Sequence, residues 1–329
     1  MGTTDKRESD DLSDLMATPS EVAVVGAGQM GTGFAVHFTL QGLSPTVVDH
    51  RQSNLDDARE RIRETVTFLN ERDVTETGPE TVLDELTFTL DTETGVADAD
   101  LVLETVAEDL AVKRDVFEAV ADGAPGHAVL ATNTSGIPIT EIAAESPFAD
   151  RVVGCHWLFP PYLLPTVEVI RGEETADETV ERTVAFVEAV DRTPIVVERD
   201  VPGFVWNRVQ FAVLRECMHL LDEGVASVED INAAIRDGYA RRTAAIGPFE
   251  TVDLAGLDLF QRVGSDLYPD LSNAERPSER FDEYIEDGRN GVGTGAGFFQ
   301  YDDPPAAVEQ RRDDLLVELA AVLERDDEK

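Results

Sequence analysis

Three glycines and one acid give the clearest chemical signal in the chain. In Val24-Val25-Gly26-Ala27-Gly28-Gln29-Met30-Gly31 the glycines hold the G-x-G-x-x-G spacing, directly after an apolar run and at the opening of a helical pattern. Each has a physical task. Gly26 permits a tight turn, Gly28 lets the backbone approach a pyrophosphate, and Gly31 lets helix and strand pack closely. Free N–H groups where the helix opens, around Gln29 and Met30, can meet phosphate oxygens. Asp49 closes the next strand pattern, where a carboxylate binds the ribose 2′-hydroxyl and repels a 2′-phosphate. The set predicts NAD rather than NADP, although Arg51 keeps the second open. A glycine turn without a ligand is the competing reading.

A second group of residues is suited to proton transfer. Oxidising a secondary alcohol needs a base for the hydroxyl proton, and histidine titrates near neutral pH. His156 follows a strand pattern, and Glu168 is the one charged residue in Thr-Val-Glu-Val-Ile, with its neighbours on the opposite face. Taken singly, His156 reads as well as a satisfied core residue and Glu168 as an exposed strand position. Ser135 reads as a cap for a helix entering at Pro138, Asn207 as a surface residue. His37, His50, His127 and His219 match no motif and read as structural or exposed. Cys155 and Cys217 give neither a disulfide framework nor zinc spacing, so no metal is expected.

The elements that must position these residues follow from periodicity. Glu21–Val25, a helix over Met30–Gln41 and Thr46–Asp49 form a parallel β-turn-α-β unit. Helices are predicted over Ser53–Glu71, Thr81–Asp84, Val112–Val120, near Ile139–Ala144 and over Ala176–Val190. Strands are predicted over 87–90, 100–105, 128–132, 151–155, 166–170 and 195–198. After Pro202-Gly203 the pattern is all helix: Phe204–Glu223, Val228–Arg236, Pro248–Ser265, Ser278–Asp287 and Pro305–Arg325. Gly288–Gly297 lacks the ending of a phosphate-binding P-loop and reads as a loop. The fold class is α/β: an N-terminal Rossmann-type, doubly wound, mainly parallel sheet over residues 20–200, followed by an all-helical domain over 201–329 for substrate and dimerisation. Phe204–Glu223 is apolar on more than one side, which predicts burial and a homodimer.

Composition narrows the partners. The 329 residues are 42% hydrophobic, and 67 acidic against 27 basic side chains give a net charge of −40. Such a charge argues against nucleic acid and anionic lipid, leaving a small-molecule substrate. The acids are scattered, so they form a solvated coat suited to high salt, and a halophilic source is expected. No apolar run is long enough to span a membrane. Residues 1–19 read as a disordered acidic tail without the h-region of a signal peptide, and a cytoplasmic location is expected.

Beyond the fingerprint, the chain carries Glu104-Thr-Val-Ala-Glu108-Asp-Leu-Ala-Val-Lys113, Thr132-Asn-Thr-Ser135, Gly154-Cys-His156, Val167-Glu168-Val169, Pro202-Gly-Phe-Val-Trp-Asn207-Arg208, Gly247-Pro-Phe-Glu250 and Thr294-Gly-Ala-Gly-Phe298. In this order they resemble the 3-hydroxyacyl-CoA dehydrogenases over nearly the whole length. The resemblance implies NAD-dependent oxidation of a 3-hydroxyacyl-CoA in fatty-acid metabolism. It also implies a His156–Glu168 catalytic dyad, Ser135 and Asn207 at the substrate oxygen, and Glu108 and Lys113 beside the nicotinamide ribose.

Several positions depart from the acyl-CoA pattern. Phe159 stands where those members carry asparagine, and Gly293 where a lysine is common. Pro160-Pro161-Tyr162-Leu163-Leu164-Pro165 and Arg241-Arg242 look closer to the gulonate and carnitine 3-dehydrogenase branch. Arg242 there is suited to holding a free carboxylate bidentately; an exposed ion pair is its plain alternative. Residues 53–85, where acyl-CoA relatives bind CoA, contain no lysine and only Arg59, Arg61, Arg63 and Arg72. A free 3-hydroxy acid is therefore the alternative substrate. Two further classes stay open at this point: a hydrolase reading of Ser135, His156 and Glu168, and a non-enzymatic NAD-binding protein.

Overall fold

The structure, a computed structural model, describes residues 18–327; the expected tail lies outside them as far as residue 17. The chain divides into two compact units, one running to Arg208 and the other starting at Val209.

The first unit opens with β1 (Val22–Val25), α1 (Gln29–Leu40), β2 (Thr46–Val48) and α2 (Gln52–Asn70). Then come α3 (Pro79–Asp84), β3 (Thr87–Thr89), α4 (Thr92–Val96), β4 (Leu101–Glu104), α5 (Leu110–Gly123) and β5 (Val129–Thr132). It closes with α6 (Ile139–Ala143), β6 (Val152–Trp157), β7 (Thr166–Ile170), α7 (Asp177–Ala189) and β8 (Thr193–Val197). The eight strands form one sheet in the order β3-β2-β1-β4-β5-β6-β7-β8. All neighbours are parallel except β6 and β7. Their connection, residues 158–165, is too short for the crossover a parallel pair needs, so the chain reverses.

Strands buried on both faces account for the continuous apolar runs. Val22 and Val24 pack on one side with Phe34, Phe38 and Trp157, while Ala23 and Val25 pack on the other with Phe117 and Ile139. Helix α2 buries Leu55, Ala58, Ile62, Val66 and Leu69, a stripe at helical spacing, and leaves its charged side to water. Helix α4 escapes a reading by periodicity because, of its five residues, only Val96 is buried.

The second unit is helical, with α8 (Trp206–Asp222) running into it from the first. It differs from expectation at three places. The helix expected over Pro248–Ser265 is two, Pro248–Ala255 and Leu257–Leu267, because Gly256 turns at φ 98° between them. The helix begun at Val228 widens into a π-helical segment over Ala234–Ala240. The expected burial of Phe204–Glu223 is not met within one chain: on α8 only Met218 is buried, and Phe211 is 61% exposed. Among the described residues, no helix is long and apolar enough to cross a membrane.

Candidate active site

In an open parallel sheet the ligand crevice lies outside the carboxyl ends of the strands. Gly26 follows β1 with φ +115°, and a Cβ there would sit 2.7 Å from the Thr105 carbonyl oxygen. A Cβ on Gly31 would lie 1.8 Å from the Gly26 carbonyl oxygen, so both positions are closed to side chains by the fold itself. Gly28 is different. It is exposed, has φ −75°, and a Cβ added to it meets nothing within 4 Å. The fold does not require glycine there; a ligand approaching the backbone would. Gly28 N-caps α1 without any side-chain cap, and Gln29 and Met30 begin the first turn, which leaves N–H donors for an anion. Asp49 is 7% exposed. Its Oδ2 accepts from the Ala27 N–H at 3.0 Å, and its Oδ1 from Arg51 N at 2.9 Å and Asn54 Nδ2 at 3.0 Å. This carboxylate is fixed beside the glycine turn, and the cradle fits a dinucleotide.

Next to β1, the ends of β4 and β5 hold a charged network. Asp109 caps α5 by accepting from Ala111 N and Val112 N, and one turn later Lys113 is buried at 1% exposure. Its ammonium donates to Glu104 Oε1 and Oε2 at 2.9 and 3.0 Å and stands 3.3 Å from Glu108 Oε2. Glu104 also accepts from Val106 N and from the Thr132 hydroxyl, both at 2.6 Å. Glu108 Oε1 accepts from the Thr134 hydroxyl at 2.6 Å and Ser135 N at 3.0 Å. Burial pushes the Glu108 carboxyl up, but the Thr134 hydroxyl, the Lys113 charge and the Ser135 N–H outweigh it and hold it below the usual range. Asn207 Nδ2 donates to the Ser135 carbonyl at 2.8 Å, so Glu108, Lys113, Ser135 and Asn207 are joined in one chain of contacts. The Ser135 side chain is exposed.

His156 and Glu168 face each other across the antiparallel β6–β7 pair. Directly opposed residues share a face, so the register alone brings their side chains together. His156 Nδ1 lies 2.7 Å from Glu168 Oε2. The other carboxylate oxygen accepts two backbone N–H groups, Val205 at 2.8 Å and Trp206 at 2.9 Å, where α8 begins. Burial pushes the Glu168 carboxyl up, yet the His156 bond and these two N–H groups prevail and hold it below the usual carboxylate range. An ionised Glu168 can only accept, so Nδ1 carries the proton of the neutral imidazole and Nε2 keeps a lone pair. Nε2 makes no protein hydrogen bond among the described residues. The Phe204 ring, 5.9 Å away, covers one side of the imidazole. The adjacent Cys155 is not a rival nucleophile, since burial pushes its thiol up to about 12.

Sequence reasoning did not assign roles to Glu104, Thr132, Thr134 and Asn133. Asn133 Oδ1 accepts from Trp157 N at 2.8 Å and pins the end of β5 to the end of β6. A faint signal existed: Glu104 precedes Lys113 by nine residues, at the close of a strand where the other side chains are apolar. Arg242 is exposed on the short helix Arg241–Thr243 of the second unit and has no acidic partner among the described residues. Phe159, at the position of the family's asparagine, is 40% exposed. Of the remaining histidines, His37 is buried with Nε2 on the Val190 carbonyl, and His127 pairs with Asp100 at 3.2 Å.

Comparison with known proteins gives two matches to family models: the 3-hydroxyacyl-CoA dehydrogenase NAD binding domain over residues 21–201 and the 3-hydroxyacyl-CoA dehydrogenase C-terminal domain over 203–301. The 5-formyl-3-hydroxy-2-methylpyridine 4-carboxylate 5-dehydrogenase of Mesorhizobium japonicum is 35% identical, with 92% of this chain and 98% of that protein aligned. A probable 3-hydroxybutyryl-CoA dehydrogenase of Deinococcus radiodurans is 35% identical over 84% of this chain and 99% of its own length. An L-carnitine dehydrogenase of Bacillus cereus is 32% identical over 93% of each. The crystal structure of a dehydrogenase with the same pyridine substrate, described as an NAD+ dependent dismutase, superposes with a TM-score of 0.85. It is 34% identical and covers 93% of this chain and 98% of that one.

Proposed function

The chain belongs to the 3-hydroxyacyl-CoA dehydrogenase family and is an NAD-dependent oxidoreductase acting on a CH–OH group, and we propose that its alcohol lies on carbon 3 of a small free carboxylic acid, with His156 as base. The observation that carries the base assignment is the Glu168-held imidazole with an open Nε2. Nε2 takes the hydroxyl proton as the carbinol hydrogen departs as hydride. Glu168 stabilises the imidazolium, and its two backbone donors keep it from following the proton. NAD, when bound, supplies the hydride acceptor. Gly26, Gly28, Gln29, Met30, Gly31 and Asp49 are the residues to hold its adenosine diphosphate half, and Glu108 and Lys113 those to fix the nicotinamide ribose. Ser135 and Asn207 would hold the substrate oxygen, where charge develops.

The free-acid reading is supported by what the arginines of α2 and its neighbourhood already do. Arg59 lies over the Phe88 ring at 4.0 Å, and Arg72 over Phe68 at 3.9 Å. Arg63 pairs with Glu80 at 2.7 Å, and Arg61 donates to the Ala27 carbonyl at 2.7 Å. Each of these four cations already has a protein partner that CoA phosphates would have to share or displace. Arg242, by contrast, has the planar fork for a carboxylate, and the carnitine and pyridine-carboxylate relatives act on acids. A CoA thioester is the second reading, favoured by the family models and by the 3-hydroxybutyryl-CoA relative. The test is NADH oxidation with acetoacetyl-CoA set against NAD reduction with carnitine, gulonate and free 3-hydroxybutyrate. Turnover confined to the thioester rejects the free-acid reading. Turnover on a free acid that survives Arg242→Ala unchanged rejects the role of Arg242.

We further propose a homodimer and a salt-adapted protein. The second unit leaves Phe249, Leu254 and Tyr268 more than 70% exposed, at 85%, 77% and 74%, and the dimer would cover such side chains. Light scattering that reports a monomer at all salt concentrations would reject the dimer.

A further inference from the structure

Arg61 reaches from the middle of α2 to the glycine turn, where its Nη2 donates to the Ala27 carbonyl at 2.7 Å. The side chain is half-buried, and its Nε is buried with no hydrogen-bond partner among the described residues. Nothing in the packing of α2 calls for a guanidinium there, since the buried stripe of this helix is entirely apolar. The peptide groups on either side of Ala27 are thus held by separate side chains. The N–H of Ala27, in the peptide shared with Gly26, donates to Asp49 Oδ2 at 3.0 Å. The carbonyl of Ala27, in the peptide shared with Gly28, accepts from Arg61.

We infer that Arg61 is a positioning residue for the cofactor pyrophosphate, acting through the Ala27–Gly28 peptide. In a trans peptide the C=O and the next N–H point in opposite directions. With the Ala27 carbonyl anchored on the α2 side, the Gly28 N–H is turned to the other side, away from Arg61. Gly28 is exposed and has open space for a Cβ, so its backbone is approachable from outside. A cation on the carbonyl also polarises the peptide and strengthens that N–H as a donor. Arg61 therefore fixes and sharpens one donor of the anion cradle without touching the cofactor itself. The inference rests on the reading of this turn as the NAD site.

The test is NADH binding followed by fluorescence titration, together with kcat and KM for NAD on whichever substrate the parent oxidises, for Arg61→Met, Arg61→Lys and Gly28→Val. Gly28→Val adds a side chain whose Cβ meets no atom within 4 Å, and it should abolish NADH binding without loss of the thermal midpoint. If it binds NADH like the parent, the reading of the turn fails and the inference with it. With that control in place, Arg61→Met is expected to raise the NADH Kd and the KM for NAD about tenfold while kcat stays within about threefold. Arg61→Lys, which keeps one cationic donor on the carbonyl, should recover most of the loss. A Met variant with an unchanged Kd, or one that loses kcat at constant KM, overturns the inference while leaving the turn as the NAD site. Because loss of a half-buried cation can also unfold the chain, thermal midpoints are measured alongside. If Arg61→Met does not fold, Arg61→Gln is judged by the same thresholds.

Discussion

His156 finds Glu168 through register rather than proximity in sequence, and the pair is then locked by the N–H groups of Val205 and Trp206. Removal of either side chain has separable consequences. His156→Ala should lower turnover by about two orders of magnitude or more while NADH affinity changes little; turnover within a few-fold of the parent rejects the base assignment. Glu168→Gln leaves a neutral partner for the imidazolium and should lower turnover by roughly tenfold or more, with the larger part in kcat. His37 answers to pH in a different way. Burial and the Arg192 charge, against the Val190 carbonyl, lower its pKa to about 3. Its folded pKa lies below the unfolded value near 6.5, so the unfolded chain binds the extra proton first, and stability falls as pH drops below about 6.5. Between pH 6.5 and 4.5 that loss amounts to about 2 kcal/mol, because the slope is only half developed at the unfolded pKa. Urea unfolding at pH 6.5 and 4.5 measures it, and His37→Gln should flatten the difference; an equal slope in the variant assigns the acid sensitivity to other groups.

At the scale of elements, the parallel β1-α1-β2 unit was legible because glycines, apolar runs and the closing Asp49 agree over a short stretch. Glu168 was legible as the odd charge in an apolar strand. What was not legible depends on neighbours distant in sequence. The burial of Lys113 and its grip on Glu104 need β4, β5 and α5 together, and nothing in a local pattern distinguishes a buried lysine from an exposed one. Arg61 stood in the sequence only as one of four arginines in the stretch where acyl-CoA relatives bind CoA, because its target is the carbonyl of Ala27 on another element. The break at Gly256 was missed because apolar spacing continues through it and only its φ of 98° interrupts the helix. Gly154 shows how tightly the register that pairs His156 with Glu168 is set. A Cβ there would lie 2.8 Å from both Cβ and Cδ1 of Ile170 and 2.9 Å from Ile139 Cδ1. Gly154→Ala must therefore push β6 from β7 two residues before His156. It should destabilise the fold by about 1–3 kcal/mol, as overpacking does, and lower kcat beyond what the loss of folded protein explains. A variant that is destabilised but fully active per folded molecule would show that the dyad tolerates movement of this strand pair.

For the whole molecule, a net charge of −40 opposes both compactness and association, and two copies that meet bring that charge together. Screening reduces the repulsion over a length of about 10 Å at 0.1 M salt and about 3 Å at 1 M. The short buried contacts within the first unit, such as Lys113 with Glu104 at 2.9 Å, lie inside that range and are shielded from ions. Salt therefore relieves the long-range repulsion and leaves the site's own electrostatics nearly untouched. Raising KCl from 0.1 to 2 M should raise the thermal midpoint and shift the chain from monomer to dimer. Sucrose, which is excluded from the surface without screening charge, should raise the midpoint but leave the monomer–dimer balance much less changed. If the midpoint is flat or falls with KCl, the acidic coat is not what governs stability. If sucrose matches KCl in both readouts, exclusion rather than screening is the cause. NADH affinity supplies the check at the glycine turn: if the backbone donors of Gly28–Met30 hold the pyrophosphate through short hydrogen bonds, binding should vary far less with salt than the dimer equilibrium does.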